Sequence, residues 1–148
     1  MFYFISTVFT SAFLLFMVQP IIAKQILPWF GGSSAVWTTC MVFFQMVLLM
    51  GYGYSDWVVR RLDQRKQAIL HTVLVLISLA WLPILAGDQW KPDSDTEPSV
   101  RILLLLLATV GLPYFLLSTT GPLVQAWVAK THPPIQVYRL FALSNLAS

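Results

Sequence analysis

The chain has 148 residues, of which 57% are hydrophobic and 10% are charged, and its formal net charge is +3. Soluble domains carry about 25% charged residues, so this composition excludes a surface that faces water on every side. The charged residues fall in a few short stretches, and the long apolar segments between them contain none. We therefore predict an all-α fold, a polytopic transmembrane helix bundle that forms one membrane domain over residues 1–148.

The first apolar segment, residues 2–23, is long enough to cross a bilayer. About 20 residues at 1.5 Å each cover the hydrocarbon core of a membrane. No basic residue precedes this segment, and it is longer than the apolar region of a signal peptide, so it predicts a retained helix. Pro28, Gly31 and Gly32 predict a turn after it, and residues 35–57 predict the second span.

Two further spans are predicted over residues 67–87 and 101–121, which gives four complete spans. The apolar segment continues past residue 121, where a glycine–proline pair predicts a break before a short helix at about residues 122–130. Residues 136–148 predict the start of a fifth helix. They are too few to cross a bilayer, so we expect this fifth helix to be truncated.

The distribution of charge predicts which side of the membrane each connection faces, because short loops rich in Lys and Arg stay in the cytoplasm. The connection after the second span carries four basic residues, Arg60, Arg61, Arg65 and Lys66. The connection after the third span is mainly acidic and contains Asp88, Lys91, Asp93, Asp95 and Glu97. Lys130 and Arg139 follow the fourth span, whereas Lys24 and Arg101 oppose the pattern. The basic residues thus place the second and fourth connections inside and the first and third outside, which predicts a cytoplasmic N-terminus.

Three uncharged polar residues within the spans are candidates for lining a cavity: Gln19, Thr38 and Gln45. Polar groups are unfavourable inside a membrane, so each of them needs a partner or a function. The alternative is that they form hydrogen bonds between helices and hold the bundle together, which is common in membrane proteins. His71 near the start of the third span is either a proton relay or a solvated or hydrogen-bonded residue.

The loop after the second span offers one more candidate group. Asp56, Arg60 and Arg61 lie close enough in sequence to form a charge network that fixes the loop. The alternative is a solvated basic loop that only sets the topology. Basic residues beside spans also explain the net charge without a nucleic-acid partner.

No motif predicts a catalytic, cofactor or metal site. The sequence contains no P-loop, no HExxH zinc motif and no GxSxG nucleophile motif. The single cysteine, Cys40, excludes an intrachain disulfide and a cysteine metal cluster. We therefore predict that this chain is not an enzyme and has no cofactor.

Several segments in the same order resemble the N-terminal membrane region of bacterial fused spermidine synthase-like proteins. They are residues 18–24 (VQPIIAK), 27–33 (LPWFGGS), 36–40 (VWTTC), 43–45 (FFQ), 51–54 (GYGY), 117–123 (LSTTGPL) and 138–146 (YRLFALSNL). Proteins of that kind join a bundle similar to the major facilitator superfamily to a soluble aminopropyltransferase-like domain. Residues that correspond to the soluble domain are not in this sequence.

The resemblance implies a location and two alternative functions. It implies a multi-pass protein of the bacterial cytoplasmic (inner) membrane, whose partners are the lipid bilayer and either a soluble aminopropyltransferase-like domain or further membrane helices. The first function is that of a membrane module that anchors the enzyme or passes a small solute or polyamine. The alternative is a fragment of a facilitator-type transporter of small solutes.

Overall fold

A computed structural model describes residues 2–87, 90–91, 97–131 and 133–147, and these residues form an all-helical bundle. Its helices are α1 (Phe2–Phe30), α2 (Ser34–Arg61), α3 (Gln64–Ser78), α4 (Pro98–Thr131) and α5 (Pro134–Ala147). The all-α part of the predicted fold class is therefore confirmed for the described residues. Three helices, α1, α2 and α4, are long and apolar enough to cross a membrane. The chain is thus a membrane protein by the length and composition of its helices.

The turn between α1 and α2 is later and tighter than predicted. Helix α1 continues through Pro28 to Phe30, because a proline adopts helical φ and near a helix end removes only one hydrogen bond. The chain reverses at Gly31, whose φ of +80° favours glycine over residues that carry a Cβ. Ser33 then caps α2, where its hydroxyl accepts a hydrogen bond from the backbone N–H of Val36 at 3.4 Å.

The third helix is shorter than predicted. Helix α3 ends at Ser78 and a single 3₁₀ turn continues to Trp81, whereas the predicted span ran to Gly87. Leu82 adopts an extended conformation with ψ of 142° because it precedes Pro83, and the ring of a proline disfavours helical geometry in the residue before it. With 15 residues, α3 is about 22 Å long. Length alone therefore does not identify α3 as a span.

Helix α4 is continuous where a break was predicted. The prediction of a separate helix at about residues 122–130 is wrong, because α4 runs through Gly121 and Pro122 to Thr131. Its irregularity lies earlier, in a π-helical segment at Leu107–Gly111. Pro113 follows this segment and lacks the N–H that would bind the carbonyl of Thr109, and π segments accommodate such a missing bond.

Helix α4 is the central element of the bundle, since it packs against each of the other four helices. A larger cluster of buried side chains joins α1, α2 and the first half of α4, and includes Ile26, Phe44 and Tyr114. A smaller cluster joins α1, α4 and α5, and consists of Val8, Val124, Val128 and Leu140. In a bilayer such contacts stabilise the fold through close packing, because lipid is as apolar as the side chains.

Small residues let α2 and α4 approach each other closely. Gly51 and Ser55 of α2 face Ser118 and Thr119 of α4, and the last three are almost completely buried. The Ser55 hydroxyl lies 2.8 Å from the carbonyl oxygen of Gly51 and 3.3 Å from that of Thr119 on the other helix. A Cβ added at Gly51 would lie 1.9 Å from the Ser118 hydroxyl, so this contact requires glycine.

Candidate functional site

The first candidate site is a cavity of about 230 Å³ between α1, α2 and α4, which we call the Gln19 cavity. Two of the three polar candidates, Gln19 and Gln45, line it together with Tyr114. The Gln19 side-chain amide donates a hydrogen bond to the Tyr114 hydroxyl at 2.9 Å. This bond joins α1 to α4, so Gln19 both faces the cavity and links two helices.

Gln45 and Thr38 are in different situations. Gln45 is solvent-exposed and has no hydrogen-bond partner among the described residues, so its amide remains available to a ligand or to water. Thr38 is also exposed, but it lies about two turns away on α2 and does not line the cavity. The structure therefore brings Gln19 and Gln45 together and leaves Thr38 apart.

The second candidate site is a larger cavity of about 620 Å³ between α1, α4 and α5, which we call the Ser118 cavity. Its wall is mainly apolar, with contributions from Val8, Leu15 and Phe141. Six polar residues also line it, Ser11, Tyr52, Ser118, Gln125, Ser144 and Asn145. The volume lies in the range of small-molecule sites.

The Ser118 cavity was not predicted from the sequence. Its polar residues are spread over four helices, and the packing of α5 against α1 brings Ser144 and Asn145 to the same cavity as Ser11. Gln125 is the one signal that was available, because it interrupts an apolar segment in the same way as Gln19 and Gln45 do.

Helix α3 is attached to α4 by polar contacts that the sequence did not predict. The Gln67 side chain is fully buried; its amide donates to the carbonyl of Leu62 at 2.6 Å and accepts from Trp127 Nε1 at 2.7 Å. One turn later, His71 Nε2 lies 3.0 Å from the Thr120 hydroxyl. These bonds fix the position of α3, which has few apolar contacts of its own.

The hydrogen bonds of Thr120 decide the tautomer of His71. The single hydroxyl hydrogen of Thr120 is donated to the carbonyl of Leu116 at 2.8 Å, so His71 Nε2 must donate to Thr120. The other nitrogen, Nδ1, is buried and has no partner among the described residues. His71 is thus a buried, hydrogen-bonded residue, and no chain of polar groups leads from it to either cavity in the part of the chain described.

The predicted loop network is reduced to one ion pair. Asp56 and Arg60 form a salt bridge at 2.9 Å within the last turns of α2, and both side chains are largely exposed. Arg61 takes no part in it. Exposed pairs of this type contribute little to stability. The acidic residues Asp88, Asp93 and Asp95, on which part of the topology prediction rests, lie outside the described residues.

Comparison with known proteins adds no relative to this picture. No family model, no curated protein and no solved structure matches the chain. The resemblance to the membrane region of spermidine synthase-like proteins therefore stays a prediction that depends on the sequence segments given above.

Proposed function

We propose that this chain is an integral membrane module of the bacterial inner membrane that crosses the bilayer four times and anchors an aminopropyltransferase-like domain or further helices. The observation that carries the proposal is the outward surface of the bundle. Large apolar side chains are exposed along α1, α2 and α4, for example Leu49 at 71%, Met50 at 63% and Leu107 at 61%. A large exposed apolar surface of this kind is favourable in contact with lipid and unfavourable in contact with water.

A fourth crossing is supported by the segment that follows α3. Helix α3 begins three residues after the end of α2, and the non-helical residues 82–87 contact α1 at Gln25, near the α1–α2 turn. Two of their backbone groups are paired by one side chain, because the Gln25 amide lies 3.5 Å from the carbonyl oxygen of Ile84 and 3.3 Å from the backbone nitrogen of Ala86. Non-helical backbone is tolerated at membrane depth where protein groups satisfy it in this way.

The other end of the segment also agrees with a crossing. The Lys91 ammonium lies 5.8 Å from the centre of the Trp29 ring, at the outer end of α1. The chain therefore passes from the basic end of α2 to the opposite end of the bundle between Gln64 and Lys91. A helix of about 22 Å and a non-helical segment of six residues, each of which can span up to about 3.3 Å, are long enough for the hydrocarbon core.

The orientation follows from the basic residues at the α2–α3 connection. Arg60 and Arg61 lie in the last turn of α2, and Arg65 and Lys66 lie in the first turn of α3. Their side chains are exposed and lie next to apolar helices, as cytoplasmic loops require. Their position supports a cytoplasmic N-terminus and an α1–α2 turn on the outside.

Cysteine accessibility tests the proposal directly. In a Cys40→Ala background, we expect a membrane-impermeant maleimide to label Gly32→Cys and Lys91→Cys in intact cells, and Gln64→Cys only after permeabilisation. A Cβ at Gly32 meets no atom within 4 Å and Gln64 is exposed, so neither substitution disturbs packing. Labelling of Lys91→Cys only after permeabilisation would contradict the fourth crossing. Release of the protein into the supernatant by carbonate extraction would contradict integration into the membrane.

The anchoring role has a separate test. If the gene continues beyond Ser148, the proposal expects a glycine-rich nucleotide-binding motif of a Rossmann-like domain downstream. An intact reading frame without such a motif would contradict the link to an aminopropyltransferase while leaving the topology unaffected.

A second candidate function, a fragment of a small-solute transporter, is favoured by one observation. Gln45 presents an amide without a hydrogen-bond partner among the described residues to the Gln19 cavity, where it can bind water or a solute. In membrane vesicles, this function predicts that Gln45→Leu lowers uptake of the transported solute at least severalfold. Gln64→Leu, a matched change at an exposed position outside the cavity, should leave uptake unchanged. Equal uptake by both variants would exclude this role for Gln45.

A further inference from the structure

The three serine hydroxyl groups of the Ser118 cavity can accept hydrogen bonds but have no hydrogen left to donate. Ser11 donates to the carbonyl of Val8 at 3.1 Å, and Ser118 donates to that of Phe115 at 2.6 Å. Ser144 donates to the carbonyl of Phe141 at 2.9 Å. A serine hydroxyl carries one hydrogen and two lone pairs, so each of these three groups can act only as an acceptor toward a further partner.

Two prolines add backbone acceptors at the same place. Pro20 in α1 and Pro122 in α4 lie inside their helices and have no N–H. The carbonyls four residues earlier, at Phe16 and Ser118, therefore lose their regular helical donors. Both Phe16 and Ser118 line the Ser118 cavity. In secondary transporters, backbone carbonyls without helical donors coordinate cations where membrane helices unwind.

We propose that the Ser118 cavity is a binding site for a small primary amine, which enters as a singly charged ammonium with an apolar chain. An ammonium group donates three hydrogen bonds and accepts none, so it matches the serine hydroxyls and the released carbonyls, while Tyr52, Gln125 and Asn145 can also accept through their oxygen atoms. The apolar remainder of the wall, including Val8, Leu15 and Phe141, accommodates the chain. This inference does not depend on the proposed anchoring role.

The charge of the ligand follows from the absence of acidic groups. No carboxylate lies among the described residues of the cavity wall. Neutral oxygen atoms can replace the hydration of a single positive charge, whereas several charges on one molecule would require acidic partners. A monoamine is therefore favoured over a polyamine with three or four charges.

The test measures protection of a cysteine in the cavity of the purified, detergent-solubilised chain. Ala126 lines the cavity, so Ala126→Cys in a Cys40→Ala background reports on its occupancy. We expect butylammonium at pH 7 to slow the reaction of this cysteine with a neutral methanethiosulfonate reagent. Butanol, which has the same chain but a weaker donor, should slow it much less. Spermidine should protect less well than butylammonium.

Two substitutions connect the protection to the proposed acceptors. Pro122→Ala restores an N–H that binds the Ser118 carbonyl, and should raise the concentration of butylammonium required for half-protection about tenfold, the effect of one charge-assisted hydrogen bond. Pro28→Ala is the matched control, because Pro28 likewise lies inside a helix, here α1. The carbonyl that lacks a donor because of Pro28 is that of Lys24, a residue that does not line the cavity. It should leave the half-protection concentration unchanged. Replacing a proline inside a helix by alanine favours folding, so a loss of protection cannot be attributed to an unfolded variant.

A serine pair provides an independent comparison. Ser118→Ala should weaken protection, whereas Ser78→Ala should not, although Ser78 donates to the carbonyl of Val75 in the same manner on α3. Equal protection by butylammonium and butanol, or no protection by either, would overturn the proposal. So would Pro122→Ala and Pro28→Ala variants with the same half-protection concentration.

Discussion

Replacing Gly51 by alanine is expected to separate α2 from α4 and to lower the stability of the bundle markedly. The new Cβ would lie 1.9 Å from the Ser118 hydroxyl, 3.0 Å from its Cβ and 3.4 Å from the carbonyl oxygen of Phe115. Rotation of the Ser118 hydroxyl relieves only the first of these contacts and breaks its bond to Phe115. Overpacking of this kind costs about 1–3 kcal/mol. Thermal unfolding of the detergent-solubilised chain measures the effect.

The control for this prediction lies two residues away on the same helix. A Cβ at Gly53 meets no atom within 4 Å, so Gly53→Ala should leave the midpoint of thermal unfolding unchanged or raise it slightly. Combining Gly51→Ala with Ser118→Gly removes the two closest atoms and should recover part of the lost stability. If Gly51→Ala and Gly53→Ala unfold at the same temperature, the close contact between α2 and α4 does not exist.

Replacing Gln67 by leucine is expected to detach α3 from α4. The volume of the side chain is preserved, but the carbonyl of Leu62 and the Nε1–H of Trp127 both lose a partner in a buried site. An unsatisfied buried polar group costs about 1–3 kcal/mol, and here there are two. We expect a large fall in the unfolding midpoint and faster proteolysis at the α2–α3 connection.

Gln64→Leu is the matched control, because Gln64 lies three residues earlier on α3 and is exposed. It should have little effect on either measurement. Trp127→Phe removes one of the two orphaned groups, so the double variant with Gln67→Leu should be more stable than the sum of the two single effects predicts. Strict additivity would show that Gln67 and Trp127 do not interact.

The sequence predicted the fold class correctly because apolar segments of about 20 residues have one common solution in a bilayer, the helix. It was less successful where proline decides the local geometry. Hydropathy remains high from residue 67 to residue 87, yet Leu82 turns away from helical geometry because Pro83 follows it. Pro122 has no such effect, because the part of α4 that contains it packs against α1, α2 and α5. The type of residue was the same, and the surrounding packing decided the outcome.

The candidate sites show a similar division. Gln19 and Gln45 were identified because a single amide in an apolar segment is conspicuous, and the structure brings both to one cavity. The Ser118 cavity was not identified because serine is common in membrane helices, where it bonds to its own backbone. Its significance depends on which helices meet, and in particular on the position of α5 beside α1. Linear sequence carries no direct information about that contact.

The length of α4 sets the depth at which the larger cavity opens. With 34 residues, the helix extends about 51 Å, well beyond a hydrocarbon core of about 30 Å. Ser118 lies 20 residues after Pro98, so when the first turn of α4 sits at one boundary of the core, Ser118 reaches the other. The part of the cavity lined by Ser118, Gln125 and Ala129 then lies at the level of the lipid headgroups, where anionic phospholipids attract cations. A protonated amine could therefore reach the acceptors of the cavity from the hydrated interface, without entering the hydrocarbon core.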